Sequence, residues 1–183
     1  MNGGIAMELV YRDLAPRRSR LKRAYLGVNL WFMGRAIQAA SRVDEQVRAE
    51  LRSLPEGFTF VLGVMPSGPH MVVQKDGTDQ ARYLGWKIDA QQADLVMTFK
   101  HVEAGWLAFT FQENTPVAIA RDRIVVDGEA HFACAVVRIL DTVQLYLLPK
   151  MIGRRVVKRY PRWPLVRKLM NRTRIYWRIV AGY

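Results

Sequence analysis

Apolar residues recur along this chain in two rhythms. From about Leu21 to Leu54 the stripe Met33, Ile37, Ala40, Val43, Val47, Leu51 and Leu54 follows the i, i+3/i+4 spacing of one helix face. Ser41 with Asp44 marks an internal restart, and Pro55-Glu56-Gly57 ends the segment. Residues 1–19 show no sustained period and read as a loose lead-in. After Gly57 the rhythm drops to two. Phe58–Met65 reads as a strand with Phe58, Phe60, Leu62 and Val64 on one face. Pro66–Pro69 is a turn and His70–Lys75 a second strand. Asp76-Gly77 is a hairpin signal into Ala81–Ile88, where Arg82, Leu84, Trp86 and Ile88 share a face. Ala93–Phe99 is a fourth strand, with Leu95, Met97 and Phe99 together. These strands predict an antiparallel meander, apolar on one side and in need of a helical cover.

The cover follows. His101–Gln112 and Thr115–Arg121 read as short helices, with Asn114 or Thr115 as a cap before Pro116. Arg123–Glu129 reads as a fifth strand closing at Asp127-Gly128. His131–Leu148 reads as a long apolar helix carrying Phe132, Val136, Ile139, Val143 and Leu147, stopped by Pro149. Trp106, Leu107, Phe109 and Phe111 crowd one short stretch, so a helix there is apolar nearly all round. Such a helix is either buried on all sides or has one side on a cavity. A cavity of ~300–1,000 Å³ lined by apolar groups is the usual form of a small-molecule site; a solidly packed core is the plainer alternative.

Charge separates the chain into three parts. The net charge is +12. Residues 1–54 carry ten Lys/Arg against five Asp/Glu, residues 55–141 seven against eleven, and residues 142–183 eleven against none. The basicity therefore belongs to the flanks. A negatively charged partner is sought there, either an anionic lipid surface or nucleic acid. From Pro164, the residues Val166, Leu169, Met170, Thr173, Tyr176, Trp177 and Val180 fall on one helical face, with Arg167, Asn171, Arg174 and Arg178 opposite. That is the composition of a basic amphipathic helix lying among headgroups. Its expected membrane contacts are Arg154, Arg155, Lys158, Arg159, Trp163, Arg167, Lys168 and Trp177. The same stripe also suits docking onto the domain or onto a partner or second copy. RNA is the rival partner for an arginine-rich tail with aromatics, disfavoured because no recognisable binding fold accompanies it.

Chemistry is hard to place. His70, His101 and His131 lie about thirty residues apart with no flanking carboxylate–histidine motif, and neither an HExxH nor a CxxC zinc pattern occurs. None of the four serines stands in a GxSxG context, and no glycine-rich phosphate loop occurs. Asp127 and Glu129 read as solvated turn carboxylates. No catalytic residue, metal or cofactor is assigned, and the chain is expected not to be an enzyme. The single Cys134 excludes an internal disulfide framework, fits a reducing compartment and reads as a buried packing thiol. Arg17-Arg18-Ser19-Arg20 faintly resembles an export signal, but Asn29 and Arg35 interrupt the apolar run behind it, which is also too short to span a bilayer. The expected location is cytoplasmic, at the inner face of the membrane.

The order of these elements resembles the type-two sterol carrier protein, or nonspecific lipid-transfer, domain family. Ala93-Asp94 and Val125-Val126-Asp127-Gly128-Glu129 stand where that family has an Ala-Asp strand and an aliphatic strand ending in Gly and an acid. The resemblance covers roughly residues 58–148. It implies an α+β fold in which a five-stranded, mostly antiparallel sheet carries helices on one face and encloses an apolar tunnel, here followed by the basic amphipathic helix. Residues 1–54, 55–149 and 150–183 are then lead-in with helix, lipid-binding domain and tail. Leu140–Val156 is similar in character to the segment that follows the domain in bacterial accessory proteins of ubiquinone biosynthesis. The implied ligand is a sterol, a fatty acyl chain or an isoprenoid quinone precursor. Candidate wall residues are Leu62, Val64, Trp86, Met97, Phe99, Trp106, Phe109, Phe111, Ile119, Val126, Phe132 and Val136. The alternative is an accessory subunit that presents lipid to an enzyme complex.

Overall fold

The computed structural model describes residues 20–86, 93–110, 112–113 and 115–147, with the backbone alone at residues 115, 116, 145 and 147. In chain order the elements are α1 (Arg20–Val43), α2 (Glu45–Arg52), β1 (Thr59–Val64), β2 (His70–Lys75), β3 (Ala81–Gly85), β4 (Leu95–Phe99), α3 (Val102–Phe109), α4 (Thr115–Ala120), β5 (Ile124–Asp127) and α5 (Ala130–Leu147). The expected restart within the first helical stretch is real. Asp44 adopts an extended conformation (φ −112°, ψ 118°) and its Oδ1 accepts from the Gln46 amide at 2.9 Å, capping α2. Its other oxygen accepts from the Tyr146 hydroxyl of α5, so one buried carboxylate links α2 to α5.

The sheet is five-stranded and mixed, in the order β3-β2-β1-β4-β5. β1 pairs antiparallel with β2, β2 with β3 and β4 with β5, whereas β1 and β4 run parallel. The meander expected from the sequence therefore stops at β3: the fourth strand returns to the far side of β1. Two hydrogen bonds, one of them to the Asp94 side chain, hold it there. The Asp94 amide donates to the Thr59 carbonyl at 2.9 Å, and Asp94 Oδ2 accepts from the Thr59 amide at 2.7 Å. The resulting register aligns Phe60 with Leu95, Leu62 with Met97 and Val64 with Phe99, giving one continuous apolar face.

That face carries the core. Phe60, Leu62, Met71, Val73, Leu95 and Met97 of the sheet cluster with Leu26, Leu30 and Ile37 of α1, Val47 and Leu51 of α2, and Val136, Ile139 and Val143 of α5. The helices thus pack on one face, and the α+β architecture expected from the sequence is the one observed. In β3, however, the inward residues are Ala81 and Tyr83, not the Arg82, Leu84 and Trp86 set. The cause lies in α1. Gly34 leaves a notch where a Cβ would stand 2.4 Å from the Tyr83 ring, and Gln38 Oε1 and Ser41 Oγ accept from the Tyr83 and Ala81 amides at 3.0 Å each. Burial pushes the Tyr83 phenol above its ordinary 10.0, with the nearby Arg35 pulling the other way.

Cys134 is a second correction. It is exposed on α5, because it stands two residues from Val136 and so nearly opposite on the helix. Asp127 and Glu129 are exposed, as read from the sequence. Between them Gly128 has φ +129°, and a Cβ there would lie 2.8 Å from the Asp94 carbonyl oxygen and 3.2 Å from the Leu95 Cα. The Ala-Asp strand start and the Asp-Gly strand end thus meet at one point, where only glycine fits.

Candidate lipid-binding site

Six of the twelve candidate wall residues come together in the core layer. Leu62 and Val64 of β1, Met97 and Phe99 of β4, Phe109 of α3 and Val136 of α5 are all buried and belong to one cluster. Phe99 and Phe109 meet edge to face, with ring centroids 6.0 Å apart. Phe132 flanks the cluster, partly buried, with its ring 4.9 Å from Phe58.

Three candidates sit elsewhere or at the margin. Trp86 follows the end of β3, on the edge of the sheet away from β4 and β5, and is 62% exposed. Trp106 lies between α3 and α1, its ring 4.9 Å from Tyr25 and beneath the Lys22 ammonium at 5.4 Å, so the all-round apolar character of α3 is used in helix–helix packing. Ile119 is exposed on α4. Phe111 and all eight expected membrane contacts lie outside the described residues.

The two halves of the layer are covered differently. Over β1, β2 and β3 the helices sit close: Gly34 admits Tyr83, and Gly105 of α3 brings its backbone against Val64 and Leu26, where a Cβ would be 3.3–3.4 Å from both. Over β5 the cover stops short. Val126 shares the helix-facing side with its partner Met97, yet Val126 is 37% exposed where Met97 is 2%. The preceding α4 leaves Val117 and Ile119 exposed, and it is tied to the start of β5 by the Arg123 amide donating to the Ala118 carbonyl at 2.9 Å.

A polar arrangement that the sequence reading missed flanks this margin. Glu113, between α3 and α4, is buried and lies 2.7 Å from an Arg121 guanidinium nitrogen and 3.0 Å from one of Arg123. Two cations within contact offset the cost of burying its charge. No motif announces such a group; only folding brings the three together. His101 caps α3 by accepting from the Ala104 amide at 3.1 Å, and His131 lies on the Phe132 ring. Among the described residues no group of His, Cys, Asp or Glu is placed to hold a metal ion, and no helix is long and apolar enough to cross a membrane. The layer between the sheet and the helices is apolar and buried, and Val126 at its β5 margin is partly exposed.

No family model matches the chain, and no curated protein does. Solved structures do. The chain is similar to sterol carrier protein domains. Sterol carrier protein 2 from Yarrowia lipolytica, in its apo form, is 13% identical with a TM-score of 0.44, over 64% of this chain and 90% of that one. A UbiJ-SCP2 ubiquinone synthesis protein is 15% identical with a TM-score of 0.40, over 68% and 96%. Sterol carrier protein domain 2 of Helicoverpa armigera is 14% identical with a TM-score of 0.39, over 61% and 84%. The family named by these structures is the one the sequence resembles.

Proposed function

We propose that the chain binds an apolar lipid, a sterol, fatty acyl chain or isoprenoid quinone precursor, in an internal tunnel between the sheet and its helices. The lipid enters at the margin formed by β5 and α4. The observation that carries this reading is the exposure of Val126 on the helix-facing side of the sheet. A strand whose core-facing valine is open to solvent, preceded by a helix with an exposed Ile119, has apolar surface that a ligand can remove from water. Removal of apolar area stabilises a complex by ~25 cal/mol per Å² before ordering costs. Nothing in the reading requires catalysis; the chain holds its guest and releases it, and the basic tail keeps it near an anionic membrane.

Titration of a fluorescent polyene fatty acid into the full chain tests the reading. Saturable binding is the expected result, weakened about tenfold or more when Ile119→Asp and Val126→Asp are combined, because both charges must be desolvated under the ligand. Absence of saturable binding, or equal affinity in the double variant, refutes it.

A further inference from the structure

The sheet has two edges, β3 and β5, and the fold treats them differently. At β3 the Asp76 amide donates to the Gln80 carbonyl, which sets the phase of the β2–β3 ladder and turns the amides of Ala81 and Tyr83 away from β2. Neither is left open. Ser41 Oγ accepts from Ala81 and Gln38 Oε1 from Tyr83, at 3.0 Å each, and a bulge at Val72/Val73 bends the ladder beyond them. Side chains of α1 thus close this edge against a further strand.

At β5 the Lys100 amide donates to the Arg123 carbonyl at 2.9 Å. Bonding alternates along an antiparallel ladder, so Val125 and Asp127 face Thr98 and Val96 with their backbone groups, and those of Ile124 and Val126 point outward. Among the described residues nothing hydrogen-bonds to these outward groups. The side chains do not guard the edge either. Val125, on the sheet face away from the helices, is 39% exposed, and Val126, on the helix-facing side, 37%. β5 is short, at four residues, but it carries no lysine, proline or bulge, the other usual protections of an edge.

The sequence of this edge is complementary to itself. Set antiparallel about Val125, Ile124 of one copy lies opposite Val126 of the other, Val125 opposite Val125, and Arg123 opposite Asp127. The outward groups of Ile124 then meet those of Val126 on both sides of the centre, and each such pair exchanges both of its backbone bonds. Apolar side chains lie against apolar ones on both faces, with opposite charges at the two ends. Arg123 meets Glu113 with one guanidinium nitrogen at 3.0 Å and has further N–H groups to donate, whereas Asp127 is exposed and has no side-chain partner among the described residues. Other registers lose this match. A shift of two residues keeps only one of the outward residues opposite its own copy and sets Arg123 or Asp127 against Val125.

We propose that β5 is a dimerisation edge, at which two copies join strand to strand about a two-fold axis through Val125 into one continuous sheet. Both helix layers then lie on the same side, and the Val126 margins of the two copies flank the axis. This goes beyond the lipid-binding reading and does not need a lipid between the layers.

Light scattering on the full chain, eluted from a sizing column over a range of concentrations, tests the proposal. Physiological salt is used because a net charge of +12 on each copy opposes association when screening is weak. The wild-type chain is expected as a dimer that dissociates on dilution. Val125→Lys and Val125→Glu each set like charges directly opposite one another, in the closer-spaced kind of pair, and should weaken association about tenfold or more. Both should keep the wild-type circular dichroism spectrum, since Val125 faces away from the helices. An equimolar mixture of the two variants pairs opposite charges and should restore the dimer. A wild-type chain that stays monomeric throughout overturns the proposal. So do variants that dimerise like the wild type, which would put the contact elsewhere in the chain, and folded variants whose mixture stays monomeric. Neither variant touches Ile119 or Val126, so fatty acid titration of the same samples reports the lipid-binding reading separately.

Discussion

Replacing Gly128 by alanine measures how tightly the end of β5 is seated on the start of β4. Two costs add at this position. An L side chain at φ +129° is strained by about 1–3 kcal/mol. The new Cβ would also stand 2.8 Å from the Asp94 carbonyl oxygen, 2.9 Å from Leu95 Cδ1 and 3.2 Å from Leu95 Cα. Two of those atoms are backbone and cannot swing away, so overpacking adds about 1–3 kcal/mol. The expected loss is about 4 kcal/mol. Gly57 supplies the control, because its φ is +74° and nothing lies within 4 Å of a built Cβ. Gly57→Ala carries the backbone cost alone, about 1 kcal/mol. Urea unfolding of both variants, followed by far-ultraviolet circular dichroism with the slope held common, gives the difference directly. A gap of about 3 kcal/mol is expected, a substantial share of the 5–15 kcal/mol of an ordinary domain. If the two variants lose the same stability, Gly128 is not clamped on β4 and the described register of β5 is wrong.

Three further outcomes follow from the same coordinates. Asp44→Ala removes the cap of α2 and the acceptor for the Tyr146 hydroxyl, and should cost about 2–4 kcal/mol in urea unfolding, with Asp44→Asn recovering part of it. Burial pushes the Asp141 carboxyl above its ordinary 3.8, so the folded chain holds that proton more tightly than the unfolded one. Its ionisation therefore costs stability above the folded pKa, and that cost is relieved as pH falls toward 3.8; Asp141→Asn should raise Tm at pH 7 and lose its advantage near pH 4. Exposed on α5, Cys134 should react with a maleimide in the native state as fast as in urea to within about tenfold, whereas a buried thiol would react only on unfolding.

The sequence disclosed the elements better than their neighbours. Period-two alternation placed β1 and β2, and the Asp44 restart split the first helical stretch, because these signals are local. The return of β4 to β1 was not legible in the alternation, since strand pairing over such a separation leaves no local mark; the Asp94–Thr59 bonds that fix it are visible only in three dimensions. β3 was read inside out. Its larger apolar residues, Leu84 and Trp86, outweigh Ala81 and Tyr83 on paper, and the notch that draws Tyr83 inward comes from a glycine in α1. Trp86 was lost as a wall residue for the same reason. In α5 the helical period itself argued against a buried Cys134, given the stripe through Phe132, Val136 and Ile139, and the small neighbours Ala133 and Ala135 masked that signal. Glu113 with Arg121 and Arg123 had no signature to find. The inward side of Leu62, Val64, Met97 and Phe99 was legible because alternation names the inner face of a strand even when it cannot say what lies across from it.

Native mass spectrometry of the full chain, purified without detergent, asks whether an oily molecule lies between the sheet and the helices. The expected spectrum holds a population heavier than the polypeptide by the mass of one lipid, which organic extraction recovers and which the Ile119→Asp, Val126→Asp double variant largely lacks. A single peak at the polypeptide mass, unchanged after incubation with fatty acids or isoprenoid quinones, would contradict it.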